Sequence, residues 1–164
     1  MEKINHLYQI LLENKDFNKY EDEQSTIKFE KYKKAFLEFI EIGSVKDLKL
    51  IMVSLDDWDN EGTLMENFVD GLIEFGKNDS KNFVRNFLQN LEVMYPYAKK
   101  GIEYVFIHIL RMDIFKPYVY GTFITLNIEQ KQVFKEIYDS LNKTEEDKKL
   151  FSILEIDEAI KSIA

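Results

Sequence analysis

Apolar residues recur three and four positions apart along almost the whole chain. One stretch runs Phe29, Tyr32, Phe36 with Leu37, and Ile40, and another carries the doublets Leu64/Met65, Phe68/Val69 and Leu72/Ile73. A 3.6-residue repeat gathers such positions on one face of an α-helix, whereas a strand, with its period of two, would scatter them over both faces. Only two prolines and six glycines interrupt 164 residues, and no alternating apolar and polar run is bounded by hairpin-turn residues. The pattern predicts an all-α fold with no substantial sheet.

Helix starts carry a repeated device: a short polar residue followed three positions later by a group that can return the hydrogen bond. Ser44 with Asp47, Thr63 with Glu66, Asn127 with Gln130 and Thr144 with Asp147 all fit, and Pro96 sits where a first helical turn tolerates a missing amide. The predicted helices are 2 to 14, 26 to 42, 45 to 55, 64 to 76, 80 to 94, 97 to 112, 114 to 126, 128 to 141 and 145 to 162. Apolar faces begin anew near Phe29, Leu64, Ile102 and Val133, about one hairpin of ~35 to 40 residues each. This spacing predicts stacked antiparallel helical hairpins, HEAT-like or as an irregular helical array, with a compact bundle as the alternative. With 45% hydrophobic residues the whole of 1–164 is expected to form one domain. The segment Ile102 to Leu110, apolar nearly all round, is expected at its core.

Charge is unevenly placed. Between Asp56 and Asp79 lie eight acidic residues against one base, Lys77, so this segment holds seven of the eight net negative charges. Asp56, Asp57, Asp59 and Glu61 fall in an expected loop; Glu66, Asp70 and Glu74 follow at i, i+4 and i+8 on one face of the next helix. Like charges four apart cost a helix roughly 0.2 to 0.5 kcal/mol per pair, so stability does not select such a stripe. Capping and the helix dipole account for Asp59, Glu61 and Glu66, but leave Asp70, Glu74 and the Asp56/Asp57 pair to a solvated face or a binding surface. Trp58, the only tryptophan, sits inside the loop, either as an interface anchor or as a lid over a hairpin end. The expected partner-binding set is Asp56, Asp57, Trp58, Asp59, Glu61, Asp70 and Glu74, facing a basic partner.

Other chemistries find little purchase. Asp57, Asp59, Glu61, Gly62 and Leu64 copy part of an EF-hand loop, but Phe68 stands where a bidentate Glu is required. His6 and His108 are each isolated from other ligands, and His108 is expected to be a hydrogen-bonded packing residue. No metal, cofactor or catalytic group is expected, and no enzymatic activity. Direct nucleic-acid binding is disfavoured by the acidic balance, and the cluster Lys28, Lys31, Lys33 and Lys34, interleaved with Glu30, predicts a solvated helix face. Tyr95, Tyr97, Tyr104, Tyr118 and Tyr120 are expected to pack against the core with their hydroxyls at its rim, with an aromatic interface as the alternative. The absence of cysteine, of a signal-like N-terminus and of any run approaching ~20 apolar residues leads to an expectation of a cytoplasmic, membrane-free protein.

From about Tyr32 to Ile160 the order of features resembles the immunity protein 30 family of bacterial polymorphic-toxin systems. The likeness is carried by YKKAFLEFIEIGSVKDLKLIMVSLDDWDNEG, then MENFVDGLIEF, then FVRNFLQNLEVMYPYA and IEYVFIHILR, and finally the helix pair beginning at Glu129. The chain departs from the family pattern at Tyr104, where a Trp is favoured, and at Met112 and Asp113, where an Asn follows the IL-Arg element. The resemblance implies an antitoxin that binds and neutralises a cognate toxin domain from a neighbouring gene, with no catalysis of its own. The alternative expectation is an acidic helical-repeat adaptor or a nucleic-acid-mimicking inhibitor unrelated to toxins.

Overall fold

The computed structural model describes residues 2–17, 23–56, 62–95, 97–141, 144–145, 147–149 and 155–161. These residues form α1 (Glu2–Asn14), α2 (Glu23–Ile42), a 3-10 turn (Val45–Asp47) leading into α3 (Leu48–Ser54), α4 (Gly62–Lys77), α5 (Ser80–Gln89), α6 (Leu91–Met94), α7 (Lys99–Arg111), α8 (Lys116–Phe123), α9 (Ile128–Ser140) and α10 (Ile156–Lys161). No strand occurs among the described residues, so the fold is all-α as the periodicity predicts.

The helices sort into two layers by what they touch. In one layer α1 packs on α3, α3 on α5 and α6, and α5 on α8; in the other α2 packs on α4, α4 on α7, and α7 on α9. Contacts between α1 and α2, α4 and α5, α6 and α7, and α6 and α9 tie the layers together. This is the order of stacked hairpins, in which each unit buries its apolar face against the next. The apolar faces that begin near Phe29, Leu64, Ile102 and Val133 are α2, α4, α7 and α9, the four helices of the second layer.

Helices α5 and α7 share the centre of the array. Helix α5 touches α3, α4, α6, α8, α9 and the 3-10 turn, and Phe83, Val84, Phe87 and Leu88 on it are buried. On α7, Ile102, Val105, Phe106, Ile109 and Leu110 are buried and Glu103, Tyr104, Ile107 and His108 half-buried, so no residue from Ile102 to Leu110 is exposed and the segment lies in the core as its apolar pattern predicts. Aromatic rings link successive hairpins. Phe68 of α4 meets Tyr32 at 5.3 Å and Phe36 at 4.9 Å edge-on, Phe83 meets Phe115 at 5.4 Å, and Phe134 meets Phe106 at 4.8 Å and Phe123 at 4.7 Å. Such offset pairs add roughly 0.5 to 1.5 kcal/mol each beyond area burial. Gly76 lets α4 and α5 approach, because a Cβ there would lie 2.5 Å from the Phe83 ring.

Three of the predicted caps form. The Asn127 carboxamide accepts from the Gln130 amide at 2.8 Å and the Gln130 side chain accepts from the Asn127 amide at 3.1 Å. The Asp47 carboxylate accepts from the Ser44 amide at 3.1 Å, and that of Asp147 from the Thr144 amide at 2.8 Å. Helix α4 already contains Gly62 and Thr63, which places Thr63 inside the helix instead of at its cap; the Thr63 and Glu66 side chains and Pro96 lie outside the described residues.

Two predicted helices are broken. Within 80 to 94 the Asn90 side chain donates to the Asn86 carbonyl at 2.7 Å, competing with the backbone ladder, and the chain separates into α5 and α6 there. The expected helix 145 to 162 is divided by Glu155, whose φ of 58° is incompatible with a continuous right-handed helix. Helix α8 ends at Phe123 rather than 126, with the Thr125 hydroxyl donating to the Thr122 carbonyl at 2.6 Å.

Candidate partner-binding surface

From Phe68 to Lys77, helix α4 exposes only its acids. Phe68, Val69, Leu72, Ile73 and Phe75 are buried, while Asp70 and Glu74, one turn apart, are exposed. The i, i+4 spacing therefore places both carboxylates in solvent, as predicted. They are not equivalent: Glu74 is paired with Lys77 one turn on, whereas Asp70 has no ion-pair partner among the described residues. Asp79, the last acid of the segment, caps α5 by accepting from the Asn82 amide at 3.4 Å and the Asn82 side chain at 2.9 Å.

Asp56 follows α3 and is half-buried. Its charge acts on Tyr32, whose phenol is pushed well above its usual range chiefly by burial, against the hydrogen bond from Ser54 and with Asp56 adding to the rise. The Tyr32 hydroxyl lies 3.2 Å from the Ser54 hydroxyl and 3.3 Å from the Ser54 carbonyl, and the Tyr32 ring touches Phe68. The end of α3 and the buried face of α4 are thus joined through Tyr32. Asp57, Trp58, Asp59 and Glu61 lie outside the described residues.

The histidine and tyrosine predictions divide. His108 Nδ1 lies 2.8 Å from the Tyr104 carbonyl and its ring is 4.4 Å from the Tyr104 ring, which is a packing role as predicted. Tyr95, Tyr104 and Tyr118 pack against the core, but Tyr97 is 64% and Tyr120 38% exposed, contrary to expectation. Tyr97 lies between α6 and α7, where the 3.6-residue repeat no longer dictates a face, and Tyr120 lies within α8, whose buried residues are Val119, Thr122 and Phe123. In the basic cluster Lys31, Lys33 and Lys34 are exposed, while Lys28 is half-buried and donates to Asp16 at 2.8 Å. No group of three or more acidic or histidine residues poised for a metal occurs among the described residues.

Two features escape the sequence reading. The first is a clamp: Arg111 at the end of α7 donates through Nε and Nη2 to the two oxygens of Asp147, both at 2.8 Å, while the same carboxylate completes the Thr144 cap. The Thr144-to-Asp147 spacing reveals the cap, but nothing in the spacing reveals an arginine 36 residues away. The second is a groove of about 640 Å³ between α5 and α8 carrying Lys81 and Arg85. A further groove of about 670 Å³ lies between α1 and α2, with Lys3, His6, Glu13 and Glu38 at its sides.

Among the described residues no helix is long and apolar enough to cross a membrane. No family model, curated protein or solved structure matches the chain.

Proposed function

We propose that the chain is an immunity protein, an antitoxin that binds a cognate toxin domain one-to-one and occludes it without catalysis. The observation that carries this reading is the concentration of seven of the eight net negative charges in residues 56 to 79, together with the solvent position of Asp70 and Glu74 on α4. The partner is a basic toxin domain, of the nuclease type, whose lysines and arginines meet Asp56, Asp57, Asp59, Glu61, Asp70 and Glu74, with Trp58 as the apolar anchor. The protein works in the cytoplasm, needs no cofactor and binds neither nucleic acid nor membrane. Complementary charge of this kind raises encounter rates by roughly 10- to 1,000-fold at low salt. A stacked-hairpin array also suits an adaptor, and partner choice separates the two readings.

Charge reversal of Asp57, Asp59 and Asp70 together tests the surface. Association with the toxin domain slows about tenfold or more in the variant, helicity is retained, and the wild-type rate falls with added salt. An association rate insensitive to both salt and charge reversal removes this surface from the mechanism.

A further inference from the structure

The groove between α5 and α8 has a chemistry opposite to that of α4. On α5, Lys81, Arg85 and Gln89 follow at i, i+4 and i+8; on α8 and just beyond it, Tyr118, Gly121 and Thr125 face them. No carboxylate lines the groove among the described residues, in a chain that carries 30 acidic residues. Lys81 and Arg85 are exposed and have no ion-pair partner among the described residues, so both guanidinium and ammonium donors are available. Gln89 adds a neutral donor, and at Gly121 a Cβ would meet nothing within 4 Å, which leaves the α8 side open to an approaching backbone.

The spacing selects the occupant. Side chains one helical turn apart are ~5 to 6 Å apart at Cβ. Carboxylates two residues apart on an extended chain share a face and sit ~6.6 to 7 Å apart. From Lys81 to Gln89 the helix rises ~12 Å, the reach of three or four extended residues. Nucleic acid is a poor match, because its continuous line of phosphates would be repelled by a protein of net charge −8. We propose that the groove between α5 and α8 binds a short extended acidic segment of a protein partner, with two carboxylates at alternate positions pairing with Lys81 and Arg85. The groove belongs to the layer of α1, α3 and α5, while Asp70 and Glu74 lie on the other layer, so this site is separate from the toxin-facing surface and stands without the antitoxin reading.

The test uses fluorescence anisotropy with a labelled pentapeptide bearing two aspartates separated by one residue, and a matched peptide with asparagines in their place. The aspartate peptide binds saturably and more weakly as salt rises, and the asparagine peptide binds about tenfold less tightly. Lys81→Glu with Arg85→Glu reduces aspartate-peptide affinity about tenfold or more. Lys31→Glu, an exposed charge change on α2, leaves it within about twofold. Circular dichroism checks that both variants keep their helicity. Equal binding of the two peptides, equal effects of the α5 and α2 substitutions, or preferential binding of an oligothymidine to the same groove overturns the proposal.

Discussion

Asp147 shows how much one side chain can hold at a chain end. Its carboxylate takes two charge-assisted hydrogen bonds from Arg111 and two more from Thr144, and the residue is only 3% exposed. The Arg111 hydrogen bonds hold its carboxyl well below the usual carboxylate range, burial opposes them, and the Thr144 amide and hydroxyl add to the depression. A carboxyl depressed in the folded state stabilises above the unfolded value of about 3.9 and loses that contribution as pH falls towards the folded value. Asp147→Asn therefore lowers stability by about 1 to 3 kcal/mol at neutral pH, and the difference from wild type shrinks progressively below about pH 4 in urea titrations. Glycines give a paired prediction. Gly76→Ala sets a methyl against the buried Phe83 ring and costs about 1 to 3 kcal/mol, whereas Gly121→Ala, with open space at its Cβ, stabilises α8 by about 0.5 to 1 kcal/mol. Thermal melts showing the same sign for both would refute the packing assigned to these positions. Sequence marks each glycine identically; only the neighbour that the fold brings up separates them.

Elements were legible where local chemistry decides them and illegible where distant chemistry does. The cap at Asn127 is complete within four residues, and α9 starts at Ile128 as predicted. Asn127→Ala costs about 0.5 to 2 kcal/mol, measurable as a lower urea midpoint with an unchanged slope. The breaks at Asn90 and Glu155 were not foreseen, because Asn and Glu both occur within helices and neither announces an interruption. At Asn90 a side chain takes over the Asn86 carbonyl; at Glu155 a left-handed residue interrupts the right-handed helix. Such a conformation costs a non-glycine residue about 1 to 2 kcal/mol, so Glu155→Gly raises stability by up to about 1 kcal/mol, and a fall in melting temperature would contradict the geometry. The acidic stripe was read correctly at its α4 end, with Asp70 and Glu74 in solvent, but the pairing of Glu74 with Lys77 reduces its isolated charge.

At the scale of the molecule, the repeated apolar faces prescribe the architecture. Four faces at similar spacing become α2, α4, α7 and α9, one layer of a two-layer array, with α1, α3, α5, α6 and α8 forming the other. Ile102 to Leu110, the most apolar segment, lies in the core as its pattern predicts, while α5, which the pattern does not single out, shares the centre because several elements surround it. The acids Asp70 and Glu74 lie on α4 and the cations Lys81 and Arg85 on α5, helices of different layers. The decisive measurement is co-expression of this chain with the C-terminal domain of the protein encoded immediately upstream, scored by cell survival and co-purification. The account predicts survival and a stable one-to-one complex; no rescue and no complex would contradict it.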